Sequence, residues 1–159
     1  PSHFVSQPRC DLFESWDGPL GLERAPPPTL QIAKRGKRPT SVPADTPVTM
    51  LNLLRFNEQA RYPKDSGHAP CSGREAFERY SAVARQKVKQ VGGEPMFWAD
   101  AMARFIGPVG EDWDQMLLVN YPSVQAFLSM VAMPDYRAAT VHRSAALEDA
   151  RLTVLRTPL

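Results

Sequence analysis

Hydrophobic and polar residues recur along the chain with two periods, about two residues in some segments and about 3.6 in others. These periods predict strands and helices in the order β-α-β-β-α-β. Residues 47–56, PVTMLNLLRF, are mainly apolar on both alternating faces, which is typical of a central strand. Apolar positions three and four apart over residues 72–91 predict a helix. Ser72 and Glu75 form a capping-box pattern at its start, and Gly92 follows its end.

The second half of the pattern predicts a hairpin, a broken helix and a last strand. Residues 94–107 alternate as a strand should, a turn rich in glycine and proline follows, and residues 113–121 return as the partner. Pro134 divides the next helix and begins its longer part, residues 134–151. Residues 152–156 supply the final strand. This order predicts an α+β fold, a ferredoxin-like sheet with helices on one face.

One face of this predicted sheet has no helix to cover it. We expect Met96, Trp98, Met102 and Ile106 on that face. An apolar surface of this extent is unusual on a monomer, and covering a few hundred Å² at ~25 cal/mol per Å² is worth several kcal/mol. The sequence therefore predicts a two-fold homodimer that packs sheet against sheet as a dimeric α/β barrel.

The chain divides into a Pro-rich N-terminal extension, residues 1–46, and a domain of residues 47–159. Eight of the sixteen prolines lie in the extension. Residues 1–44 contain six Lys/Arg and four Asp/Glu, whereas residues 45–159 contain thirteen of each. A domain without net charge lacks the electrostatic footprint of a nucleic-acid-binding protein, so no nucleic-acid partner is expected.

Other classes of protein are disfavoured by composition. No apolar run approaches the ~20 residues of a membrane span, so no membrane partner is expected. Cys10 and Cys71 do not make a disulfide framework, and no Cys/His spacing indicates a zinc site. We expect no metal, no cofactor and a reduced, cytoplasmic setting.

The densest candidate chemistry lies in the helix of residues 134–151. A period of 3.6 residues places Arg143 within the apolar stripe and His142 beside it. Arg143 could pair with a carboxylate while His142 only packs. Alternatively, Arg143 binds an anion or a carbonyl group while His142 accepts or donates a proton. We take this pair as the candidate catalytic residues.

Six further residues are candidates for ligand binding: Asn52, Trp98, Asp100, Arg104, Trp113 and Tyr136. Asn52 is either a satisfied structural amide or a polar group in a cavity. Asp100 and Arg104 form either an ion pair on one strand face or the polar floor of a cavity whose walls are apolar. The tryptophans would supply those walls.

The segment YPSVQAFLSMVAMPDYRAATVHRSAALEDARL resembles the domain-of-unknown-function 1330 family. MLNLLRF and SGREAFERY resemble that family's first strand and helix, and GPVGEDWDQMLLVNYPS its central hairpin. The resemblance covers roughly residues 46 to 157 and implies the dimeric α/β-barrel superfamily, which includes cofactor-free monooxygenases and isomerases.

Three functions are compatible with this fold, since the fold alone selects none. We favour a small-molecule-binding protein or cofactor-independent enzyme, oxygenase- or isomerase-like, that takes a small apolar or anionic ligand near His142 and Arg143. The alternative is a non-catalytic dimeric module whose N-terminal arm binds a partner. RNA binding is disfavoured because residues 113–121 lack the aromatic and basic pattern of an RNA-recognition strand.

Overall fold

The computed structural model describes residues 42–156. The predicted arm, residues 1–46, therefore lies outside the described residues except for its last five positions. The elements, in chain order, are β1 (Val48–Phe56), α1 (Gly73–Gln90), β2 (Glu94–Asp100), β3 (Gln115–Tyr121), α2 (Val124–Ala132), α3 (Pro134–Ala146) and β4 (Leu147–Leu155). This is the predicted order, with the second helix in two pieces.

The four strands form one antiparallel sheet in the order β2-β3-β1-β4. This strand order and the position of the helices are those of a ferredoxin-like domain. Buried Val48, Met50 and Leu54 of β1 face the helices. Their packing forms two apolar clusters, one around Met50 and Tyr136 and the other around Leu54 and Phe77.

Residues at the N-termini of α1 and α3 determine where these helices begin. Ser72 Oγ accepts a hydrogen bond from the backbone N–H of Glu75, and Glu75 accepts one from the N–H of Ser72, so the predicted capping box is present. Pro134 occupies the first turn of α3, as predicted. No helix within residues 42–156 combines the length and the apolar character that crossing a membrane requires.

The end of α3 differs from the prediction. The alanine-rich pattern predicts a helix to Arg151, but α3 ends at Ala146 and β4 begins at Leu147. Leu147 is buried in the second apolar cluster and pairs with Phe56 of β1. Tertiary burial and strand pairing therefore override helix propensity in this segment.

The hairpin also differs from the prediction, because β2 ends at Asp100 instead of residue 107. The pairing runs one bond further, since Ala101 N–H donates to Asp114 O. Asp114 also bonds to β1: its N–H donates to Leu54 O, and its carboxylate accepts from Phe56 N. Residues 102–110 consequently project as an exposed segment that we call the apolar loop. Met102, Phe105, Ile106 and Val109 are each at least 93% exposed.

The residues on the uncovered sheet face are not those predicted. A bulge between Pro95 and Phe97 shifts the register, so that Trp98 pairs with Leu117 and Asp100 pairs with Gln115. Paired residues share a face, and these two positions lie on the helix side. The uncovered face instead carries Leu51, Leu53, Phe97, Met116 and Leu118.

Candidate functional site

His142 of α3 meets two aromatic side chains from the loop that joins β1 to α1. The Tyr62 hydroxyl lies 2.8 Å from Nδ1 of His142. The His68 ring centroid lies 4.8 Å from that of His142 and 4.6 Å from that of Tyr62. All three groups can donate or accept hydrogen bonds. We call these three residues the Tyr-His cluster.

Backbone hydrogen bonds attach this loop to the C-terminus of α3. The N–H of Asn57 donates to Ala146 O and the N–H of Arg61 donates to Ala145 O, both at 2.8 Å. These bonds satisfy carbonyls that the helix end would otherwise leave without partners. A Cβ on Gly73 would lie 2.2 Å from Asn57 O, so only glycine allows α1 to start this close to the loop. The attachment places Tyr62 against His142.

Burial and neighbouring positive charge keep His142 neutral. Desolvation lowers the pKa of His142, and His68 and Arg79 lower it further. Since the ordinary histidine pKa of about 6.5 is already below neutral pH, the imidazole carries little charge there. One tautomer donates from Nδ1 to Tyr62 and leaves Nε2 as a proton acceptor; the other accepts the Tyr62 hydroxyl proton. The first tautomer presents a base.

The Tyr62 hydroxyl is protonated under the same conditions. Burial raises its pKa, while the positive charge of Arg79 opposes that rise. The thiol of Cys71 also lies near the hydroxyl and contributes to the rise. Tyr62 is therefore a neutral donor beside a neutral imidazole, an arrangement that can transfer or orient a proton.

Arg143 faces a different cluster from its neighbour His142, because consecutive helical residues point about 100° apart. On its side of α3, the hydroxyls of Tyr80 and Tyr136 lie 2.6 Å apart. Burial raises the pKa of Tyr80 well above its usual value, and the positive charge of Arg143 opposes this rise. Among residues 42–156, Arg143 forms neither a side-chain hydrogen bond nor a salt bridge. Its predicted carboxylate partner is thus absent from the described part of the chain.

Two of the predicted binding residues, Tyr136 and Asn52, lie between α3 and the sheet. Tyr136 is buried against Tyr80. Asn52 is half-buried on the helix side of β1, between Met50 and Leu54, where its amide makes only a long hydrogen bond of 3.4 Å to Met50 O. Its position between the two apolar clusters agrees with both of the alternatives considered for it.

The other four predicted binding residues make separate contacts. Asp100 accepts hydrogen bonds from Arg74, at 3.0 Å, and from Gln115, at 3.1 Å. Arg104 pairs with Asp112 at 3.3 Å. Asp100 and Arg104 therefore do not pair with each other.

The two tryptophans have different surroundings. Trp98 is 61% exposed, and Trp113 lies under the guanidinium of Arg151, whose central carbon is 5.0 Å from the ring centroid. No contact recorded for Trp98, Asp100, Arg104 or Trp113 involves the Tyr-His cluster.

The described surface has shallow concavities. One, of about 330 Å³, is lined by Phe56, Asn57, Glu58, Ser72, Arg74 and Asp114. Another, of about 400 Å³, lies along the outer side of α1 near Arg85 and Pro95. Neither is lined by His142 or Arg143. Within residues 42–156, no three His, Cys, Asp or Glu side chains converge as metal ligands would.

Tyr62, His68 and Arg79 were not among the residues singled out from sequence. Tyr62 and His68 lie in a loop punctuated by Pro63, Gly67 and Pro70, where no periodicity indicates which side chains face the domain. Arg79 falls on the exposed flank of α1. Only the attachment of the loop to α3 brings Tyr62 and His68 to His142.

Comparison with solved structures places this α+β fold in a family. The RPA0582 protein of unknown function from Rhodopseudomonas palustris is 37% identical, with a TM-score of 0.65 over 72% of this chain and 84% of that one. Its methylated form is 38% identical, with the same TM-score over 71% of this chain and 81% of that one. The chain therefore belongs to the family of RPA0582.

More distant folds resemble the chain less closely. A dimeric protein of unknown function and ferredoxin-like fold from Bacteroides fragilis is 11% identical, with a TM-score of 0.46 over 70% of this chain and 96% of that one. No family model matches the chain. No curated protein matches it either.

Proposed function

We propose that the chain is a small-molecule-binding protein that acts as a cofactor-independent enzyme, oxygenase- or isomerase-like, with His142 as its acid or base. The observation that carries this proposal is the 2.8 Å approach of the Tyr62 hydroxyl to Nδ1 of His142. The hydroxyl group that holds His142 is neutral, and within the described chain no carboxylate is bonded to the ring to stabilise its charged form. The neutral imidazole can therefore take up and give back a proton.

The chemistry open to such a pair is proton removal from a carbon next to a carbonyl group. Nε2 of His142 takes the proton and becomes imidazolium, while the electron pair of the C–H bond moves into an enolate. In an isomerase, His142 returns the proton to another atom of the same molecule. In an oxygenase, the carbanion reduces dioxygen and forms a C–O bond. Both outcomes begin with the same step.

We assign Arg143 a different role from that of His142. Arg143 shares the sheet-facing side of α3 with the buried Tyr136, seven positions earlier, and its charge opposes the raised pKa of Tyr80. Asn52 lies half-buried on the sheet face that α3 covers. Arg143 would stabilise negative charge on a ligand that reaches between the helices and the sheet, and Asn52 would orient its polar group.

We also propose a two-fold homodimer and membership of the domain-of-unknown-function 1330 family. The dimer is supported by the apolar residues of the uncovered face, with Leu118 at its centre between Leu51 and Phe97. A second copy packed on this face would remove them from water. The family assignment is supported by the sequence segments quoted above, which follow one another in the expected order.

Deuterium exchange tests the proposed proton transfer without knowledge of the product. The protein is incubated in D₂O with a panel of enolisable ketones and keto acids, and NMR follows loss of the C–H signals. We expect exchange above background with the wild-type protein and loss of that exchange in His142→Asn. Tyr62→Phe should reduce it less, since the base remains.

A control variant is His68→Asn, which removes the neighbouring ring but leaves the Tyr62–His142 bond. Retained exchange in this variant supports His142 as the base. Exchange at wild-type rates in His142→Asn, with the fold intact by circular dichroism, would overturn the proposal.

A further inference from the structure

The apolar loop, residues 102–110, contains the most exposed large apolar side chains of residues 42–156. Four side chains of the loop are each at least 93% exposed: Met102, Phe105, Ile106 and Val109. The strand before the loop adds three more that are 47–61% exposed: Met96, Phe97 and Trp98. In the single chain, water therefore contacts a nearly continuous apolar segment from residue 96 to residue 109.

The centre of the uncovered sheet face is less exposed than this segment. Its apolar side chains are only half-exposed in the single chain: Leu51, Leu53, Met116 and Leu118. A partner that covered this centre alone would leave most of the exposed apolar surface in water. An aromatic side chain such as Phe105 buries roughly 150–250 Å² when it is covered, so β2 and the loop can supply much of the ~800 Å² that each partner of a stable complex buries.

Contacts within the chain hold the apolar loop in a defined shape. Arg104 forms a salt bridge with Asp112 at 3.3 Å and donates a hydrogen bond to Pro108 O, which joins the two sides of the loop. The N–H of Glu111 donates to the same oxygen at 3.2 Å. A preformed loop loses less conformational entropy when it binds. The loop is therefore suited to docking as a unit.

The end of the apolar loop lies on the same side of the sheet as the uncovered face. Arg55 follows Leu53 by two positions on β1, so both side chains point to that face. Nη1 of Arg55 donates to Gly110 O at 2.7 Å, which attaches the loop there. Phe97 belongs to both surfaces, because it lies on the uncovered face and within the exposed segment. The loop therefore extends the face on which a second copy is proposed to pack.

Charges in this segment favour a second copy over an anionic membrane. Residues 94–114 contain five acidic residues and one basic residue, a balance that anionic lipids repel. Repulsion between two copies is smaller, since Asp100 pairs with Arg74 and Asp112 pairs with Arg104 within the chain. A second copy also brings the same apolar surface in a two-fold arrangement.

We propose that the apolar loop of each copy packs on the second copy of the homodimer, so that the interface includes the loop and β2 as well as the centre of the uncovered face. This inference rests on the proposed homodimer and specifies which residues contribute most of its buried surface. Because a two-fold interface is self-complementary, each copy provides one loop and receives one.

The dissociation constant of the dimer, measured by sedimentation equilibrium of the full chain, tests this assignment. Phe105→Ser combined with Ile106→Ser should raise it at least about a hundredfold, because each copy loses two buried apolar side chains. Circular dichroism should not change, since both side chains face water in the single chain. Ala103→Ser, a small exposed side chain of the same loop, is the matched control and should dimerise as the wild type does.

Photo-cross-linking identifies what covers the apolar loop. Benzoylphenylalanine in place of Phe105, in a mixture of ¹⁴N- and ¹⁵N-labelled chains, should give cross-links between one chain of each label. The same amino acid in place of Ala82, exposed on the outer side of α1, should not. Cross-links only to residues 1–41 of the same chain would overturn the proposal. Loop-dependent binding to phosphatidylcholine vesicles by a protein that stays monomeric would also overturn it.

The outcomes separate this inference from the proposed sheet interface. If Leu118→Glu is a monomer while the Phe105→Ser, Ile106→Ser variant dimerises as the wild type does, the sheet interface stands and the loop proposal fails. If the loop variant is a monomer while Leu118→Glu remains a dimer, the loop contact stands and the sheet interface fails.

Discussion

The Tyr62 hydroxyl and Nδ1 of His142, eighty positions apart in the chain, meet at 2.8 Å. This contact joins a loop to the last turns of α3, and the same attachment closes the C-terminus of the helix. The stability of the loop and the protonation of the histidine are therefore linked.

Removing the Tyr62 hydroxyl should destabilise the fold slightly and leave Nδ1 of His142 without this hydrogen bond. A single hydrogen bond contributes about 0.5–1.5 kcal/mol to the free energy of unfolding, so Tyr62→Phe should lower it by about that amount. Tyr121→Phe is the control, since within residues 42–156 that hydroxyl has only a sulfur acceptor, Met130 Sδ at 3.8 Å. Urea unfolding measures both. A larger loss in Tyr121→Phe would contradict the prediction.

The lowered pKa of His142 predicts how stability depends on pH. Between the lowered folded value and the ordinary value of about 6.5, the unfolded chain binds more protons, so the free energy of unfolding rises with pH. The contribution is present above the unfolded value and is lost as the pH falls through the folded value. Tyr62 and His68 contact the ring, and the charge of Arg79 helps to lower its pKa.

Urea unfolding at a series of pH values, with His142→Asn as the comparison, measures this dependence. The variant should show a flatter profile below about pH 6.5, because it has no proton to take up at this position. Identical pH slopes in the two proteins would show that His142 does not contribute.

Gly73→Ala should disrupt the attachment of the loop. Its Cβ would lie 2.2 Å from Asn57 O and 2.6 Å from Ala146 O, and backbone atoms cannot move aside cheaply. We expect a loss of about 2–4 kcal/mol in the free energy of unfolding, together with faster amide hydrogen exchange at Asn57 and Arg61. Gly67→Asn, at a turn with open space and a φ of 68°, is the control and should change stability little.

A charge on the uncovered sheet face should separate the proposed dimer. Leu118→Glu places a carboxylate between Leu51 and Phe97, where burial against a second copy would be costly. Light scattering after gel filtration should show the wild type as a dimer and the variant as a monomer. Ala82→Glu, exposed on the outer side of α1, is the control.

Phe97→Asp is a second variant of the same face, used in case Leu118→Glu fails to fold. It lies on an edge strand and is 47% exposed, so the single chain tolerates the change more easily. Both variants should become monomers with unchanged circular dichroism. A wild-type protein that is monomeric, or variants that remain dimeric, would remove this face as the interface.

The elements of the fold are predictable because their signals are local. The capping box at Ser72, the double-sided apolar pattern of residues 47–56 and the helix start at Pro134 depend on neighbours a few positions away. These local signals led to an α+β arrangement with helices on one face of the sheet. Two boundaries differ from the prediction: α3 ends at Ala146, where Leu147 pairs with the distant Phe56, and β2 ends at Asp100 instead of residue 107.

The candidate site divides in the same way. The sequence by itself determined that His142 and Arg143 are adjacent on a helix, with Arg143 in its apolar stripe, because helical periodicity depends only on position along the chain. Only the tertiary structure decided that His142 meets Tyr62 and His68. The sequence of a loop has no period that indicates which of its side chains face the domain. That choice follows from the hydrogen bonds that attach its backbone to α3.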